Sequence, residues 1–128
     1  MEKLDAFNSQ EIVNTVWAYA KIGHKSPKLF DALAGKAIEN LDTFNLQGIP
    51  LTVWAYAKIE HSSPELFDAL AGKAIKNLDT FNSQGIALTV WAYNELEHSS
   101  PDLFDAISQK GMLKSSPDEI ETQNKLTD

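Results

Sequence analysis

Three histidines, His24, His61 and His98, recur at intervals of 37 residues, each followed by Ser-Pro and then by an aspartate, Asp31, Asp68 or Asp105. Histidine, serine and aspartate are the parts of a nucleophilic site, and three histidines are the parts of a metal centre. A nucleophilic site, however, is one constellation with a distinct base and orienter, and three copies leave no residue unique to one of them. Zinc needs ring nitrogens converging at about 2.0–2.1 Å, whereas equivalent positions in stacked helical repeats stand roughly 8–10 Å apart. The histidines therefore read as structural turn residues. The chain has no cysteine, which removes disulfides, thiolate nucleophiles and cysteine-held metals. It also has no GxGxxG, GxxxxGK[ST] or HExxH motif, so neither phosphate-cradling loops nor a zinc-protease helix is encoded. A non-enzymatic protein without cofactor, metal or evident small-molecule substrate is expected.

Two other ladders suit a polymeric ligand. Tyr19, Tyr56 and Tyr93 share the histidine spacing, and aromatic ladders stack the bases of single strands. Lys36, Lys73 and Lys110 share one register, and Lys21 and Lys58 share another that ends in Glu95. Equivalent residues of an array line up along one ridge, where lysines can track a phosphate backbone. The candidate RNA contacts are thus Lys21, Lys58, Lys36, Lys73, Tyr19 and Tyr56. The simpler readings are solvated helix faces for the lysines and core-edge packing with a wet hydroxyl for the tyrosines. Net charge is −7 and all 11 basic residues are lysine, so the side chain best suited to bidentate phosphate contact and base stacking is absent. The first two repeats are near neutral and the third is acidic, which confines an anionic ligand to the N-terminal half.

The elements that position these residues are legible from the same period. Trp17, Trp54 and Trp91 mark three units, 4–40, 41–77 and 78–114, followed by a polar tail, 115–128, expected to fray. The first two units agree at 28 of 37 positions, which excludes chance and indicates a repeat array. Each unit reads as two antiparallel helices. Asn8 caps the first, with Glu11 at N3 in an imperfect capping box and Phe7 able to staple onto Ile12. Ile12, Val13, Val16, Trp17 and Ala20 form its apolar face, and Gly23 serves as C′. The second helix starts at Ser26-Pro27, repeated as Ser63-Pro64 and Ser100-Pro101, with serine as N-cap and proline at N1. Leu29, Phe30, Leu33, Ala37 and Ile38 are its buried stripe. The tryptophans are expected in equivalent core sites between the helices of each unit. Gly35 and Gly72, in mid-helix, are expected where helices approach closely. Pro50 fits poorly unless its helix starts near Gly48 or kinks. The fold class is all-α, a short right-handed α-solenoid of three helix-turn-helix repeats. No apolar run approaches the ~20 residues of a membrane span, and the first residues carry no signal or transit pattern.

The run Asn14-Thr15-Val16-Trp17-Ala18-Tyr19-Ala20-Lys21-Ile22-Gly23-His24, with Ser26-Pro27-x-Leu29-Phe30 behind it, resembles the octotricopeptide-like helical repeats of organelle proteins, often joined to a RAP domain. It is similar too to the related helical domain of the RNA-editing substrate-binding complex. Thr52-Val53-Trp54-Ala55-Tyr56-Ala57-Lys58 and Thr89-Val90-Trp91-Ala92-Tyr93 repeat the pattern, so the resemblance covers about 4–114. It implies a module binding single-stranded RNA in a mitochondrion or plastid, in transcript processing or stability. The acidic balance favours the alternative, a protein–protein interaction scaffold.

Overall fold

The computed structural model describes residues 8–109. Six helices follow in order: α1 (Ser9–Lys21), α2 (Pro27–Glu39), α3 (Gly48–Lys58), α4 (Pro64–Lys76), α5 (Ser83–Glu95) and α6 (Pro101–Gln109). There is no strand among the described residues. Single 3-10 turns at Leu41–Thr43 and Leu78–Thr80 connect α2 to α3 and α4 to α5. The first helices of the three units (α1, α3, α5) stack in one layer and the second helices (α2, α4, α6) in another, each packing on the helix two places along. This is a short α-solenoid of helix-turn-helix units. Packing is closest in the first-helix layer.

Local chemistry sets the helix ends. The Asn8 side chain accepts from the Glu11 N–H at 2.8 Å and Glu11 accepts from the Asn8 N–H at 2.9 Å, a complete capping box. Asn82 caps α5 by accepting from the Gly85 N–H at 2.7 Å. Because α3 starts at Gly48, Pro50 lies in its first turn, where the missing donor costs nothing. Ser26 and Ser63 hold the N-cap positions of α2 and α4, but their side chains make no capping bond. Proline at the first helical position, with φ already set, starts those helices instead.

Each first helix ends in a Schellman motif. The N–H of His24, His61 and His98 donates to the carbonyl of Tyr19, Tyr56 and Tyr93, each at 2.9 Å. The residue before the histidine takes positive φ: Gly23 in the first unit, but Glu60 and Glu97 in the others.

The core runs between the layers through Ile12, Val16, Phe30, Leu33, Val53, Leu66, Leu70 and Leu103. Two expectations are corrected here. Trp17 and Trp91 are each 39% exposed and Trp54 is half-buried, so the tryptophans are not the central core residues. The large aromatic positions of the core are Tyr56, Tyr93, Phe30 and Phe67. Trp and Tyr two residues apart on a helix point about 200° apart, and the junction between units takes the tyrosine. Gly35 and Gly72 face open space, with nothing within 4 Å of an added Cβ. The close approach is at Gly48, where a Cβ would stand 2.7 Å from Val13 Cγ2, and at Gly85, 3.2 Å from Pro50 Cγ. Phe7, Lys110 and the tail 115–128 lie outside the described residues.

Candidate nucleic-acid interface

The tyrosine ladder belongs to the junctions between units. Tyr56 is fully buried, and its hydroxyl donates to the Phe30 carbonyl of the preceding unit at 2.6 Å. Tyr93 donates to the Phe67 carbonyl at 2.5 Å. Burial, reinforced by the negative charge of Asp31 or Asp68, pushes both phenols well above the usual tyrosine range. The Schellman cap folds each histidine back beside its tyrosine, and Nε2 of His61 and His98 meets Oδ1 of Asp31 and Asp68, each at 2.8 Å. Phe30 and Tyr56 rings pack at 4.7 Å, and Phe67 and Tyr93 at 4.6 Å. Tyr56 therefore presents no ring face to a nucleic acid. As an RNA-contact candidate it is corrected, because an aromatic platform must be open on one side. Tyr19, in the first unit, is half-buried against Phe30 and His24.

The two lysine ladders also separate. Lys73 is half-buried and donates to the Leu41 and Asp42 carbonyls, securing the 3-10 turn between units. Lys36 is also half-buried and pairs with Glu39 at 3.3 Å. An ammonium already satisfied by backbone carbonyls is poorly available to a phosphate, so Lys73 serves the connection before α3, while Lys36 pairs within its own helix. Lys21 and Lys58, in contrast, are exposed at the ends of α1 and α3.

The tryptophans supply what sequence reasoning placed elsewhere. Residues at i, i+4, i+7 and i+11 share one helix stripe, and the solvent-facing stripe of the first helices reads Gln10, Asn14, Trp17, Lys21 in the first unit. It reads Gln47, Leu51, Trp54, Lys58 in the second and Gln84, Leu88, Trp91, Glu95 in the third. The Lys21 ammonium lies 5.3 Å from the centre of the Trp17 ring. A cleft of about 250 Å³ between α3 and α5 borders the same stripe, lined by Pro50, Leu51, Phe81 and Leu88 among others, with no charged side chain. The recoverable signal was one polar flank: among the helical neighbours of Trp17, Asn14 and Lys21 are polar, while Val13 and Ala20 lie on the buried side.

Among the described residues no group of three or more His, Cys, Asp or Glu is placed to hold a metal ion. His61 and His98 instead pair with separate aspartates. Among the described residues no helix is long and apolar enough to cross a membrane.

The stacked helix pairs and their recurring polar junctions define a helical-repeat module. A family model, RESC6, RNA-editing substrate-binding complex 6 protein, matches residues 1–78, more than half of the chain and all of α1 to α4. The chain belongs to this family. No curated protein matches it. It is thus a helical-repeat module related to a component of an RNA-editing complex.

Proposed function

We propose that this module binds single-stranded RNA along the open stripe of its first helices, with Trp17 and Trp54 stacking on bases and Lys21 and Lys58 contacting phosphates. The observation that carries this reading is the pairing of partly exposed tryptophans with exposed lysines one turn along, in register across α1 and α3. Indole faces stack on any base, at about 1–3 kcal/mol each. Lysines next to them neutralise phosphate without reading sequence. The third unit has Trp91 but Glu95 in place of the lysine, so the footprint ends near α3. The family's printed name, with its RNA-editing substrate, and the organellar setting implied by the resemblance to octotricopeptide-like repeats support the same reading.

Fluorescence anisotropy with a labelled single-stranded RNA tests it. Two phosphate contacts give a slope of log affinity against log salt of about −1.4. Lys21→Glu/Lys58→Glu should remove most of that slope, and Trp17→Ala/Trp54→Ala should lower affinity at least tenfold. Lys36→Glu/Lys73→Glu should leave the slope in place once folding is checked. A parent that binds nothing at low salt rules the proposal out and leaves the protein scaffold, which the charge of −7 favours.

A further inference from the structure

The two junctions inside the chain are built from the same parts. A tyrosine hydroxyl and a histidine at the end of a first helix grip the phenylalanine carbonyl and aspartate at the start of the preceding second helix. The chain carries each half of this junction once more. At one end, Tyr19 and His24 stand as Tyr56 and His61 do. The Schellman cap is the same, with His24 N–H on the Tyr19 carbonyl at 2.9 Å and the rings 5.4 Å apart. At the other end, Ser100-Pro101-Asp102-Leu103-Phe104-Asp105-Ala106 repeats the sequence that presents Phe30 and Asp31. Phe104 is half-buried, although its counterparts Phe30 and Phe67 are fully covered, and His24 and Asp105 are exposed. Among the described residues nothing pairs with either half.

We propose that a second copy of this chain docks head to tail, its Tyr19 and His24 on the Phe104 carbonyl and Asp105 of the first, extending the solenoid by another three units. Three observations favour a like copy as the occupant. The contact is continuous with two junctions already formed at the same spacing. Imidazole meets carboxylate, a complementary pair. The third matching position is small: Val13 and Pro50 abut Gly48 and Gly85, and at the new junction exposed Ala87 would face Glu11, the smaller side chain being where the larger partner needs room. Such a contact is heterologous and does not close, so association proceeds beyond a dimer.

Sedimentation of the full chain across a concentration series reads this out. The average mass should climb from 14.2 kDa without stopping at twice that value. His24→Glu, which turns a carboxylate toward Asp105, and Asp105→Lys, which turns an ammonium toward His24, should each hold the protein at one chain. Both positions are exposed at the ends of the stack, and circular dichroism checks that the fold is kept. Equimolar mixing of the two variants should restore growth, because each supplies the face that the other's altered side chain fits. A parent that remains at one chain into the millimolar range overturns the proposal. So does a mass that stops at two chains, or a mixture of variants that stays monomeric.

Discussion

His61 and His24 occupy the same place in consecutive units, yet one is half-buried against an aspartate 2.8 Å away and the other faces solvent. The same division runs through every residue type that first attracts attention. Tyr56 lies in a junction and Trp17 on the open stripe. Lys73 secures a turn while Lys58 is free of any such contact among the described residues. Gly48 sits under a neighbouring helix and Gly72 under nothing. Periodicity assigns all of these to ladders, but what separates them is which ladder the next unit covers. Junction faces carry the stability of the array, and the open faces are where we propose that a ligand binds.

The aromatic pair gives the largest test. Tyr56→Ala removes a fully buried ring together with its hydrogen bond across a junction, and should cost about 3–5 kcal/mol. Trp17→Ala removes a larger side chain from a partly open surface and should cost less, about 1–2 kcal/mol. Urea unfolding at neutral pH measures both. Equal losses would mean that the stripe is structural and would remove the rationale for a ligand there.

Alkaline pH separates the same two faces with a smaller effect. An unfolded tyrosine ionises near pH 10, while Tyr56 and Tyr93 keep their protons to higher pH in the folded chain. Above pH 10 the unfolded state therefore binds fewer protons than the native state, and stability falls as pH rises. Below that value the contribution is fully present. The slope approaches about 1.4 kcal/mol per pH unit for each phenol. Urea midpoints between pH 8 and 12 should bend downward near pH 10, and Tyr56→Phe/Tyr93→Phe should flatten most of the bend at lower overall stability. An unchanged bend in the double variant would place the effect elsewhere.

The fold was legible in the sequence because near-identical copies multiply each weak local signal. Asn8 and Glu11 mark a cap, Ser-Pro marks a helix start, and the histidine register marks the turn. The sides of the first helix were not legible. Val16, Trp17, Tyr19 and Ala20 occupy an arc of about 160° with indole and phenol at its two edges, so hydrophobicity alone does not say which of the two faces the next unit. The deciding partners, the Phe30 carbonyl and Asp31, lie 26 and 30 residues before Tyr56 and His61, beyond any local pattern. Lys73 was misplaced for the same reason, since the carbonyls it meets belong to the 3-10 turn before α3, 32 and 31 residues back along the chain. Lys21 and Lys58 were placed correctly on the exterior because the dipole and solvent both favour a cation at a helix end.

Glycine gives the finest separation of junction from open face, and the two expected shifts have opposite signs. In the first turn of α3, a Cβ at Gly48 would intrude to 2.7 Å of a Val13 methyl. The valine sits at the closest approach of α1 and α3 and has little freedom to retreat, so Gly48→Ala should destabilise by about 1–3 kcal/mol, even after alanine's gain in helix propensity. In the middle of α4, Gly72 is exposed and a Cβ would meet nothing within 4 Å. There only the backbone entropy of the unfolded chain and the helix propensity change, and both favour alanine. Gly72→Ala should therefore stabilise by about 1 kcal/mol, with Gly35→Ala behaving alike. Thermal and urea unfolding of the three single variants decide the matter. A destabilised Gly72→Ala would show that the outer face of the second helices is covered in solution, and hence that the second-helix layer is itself a junction face.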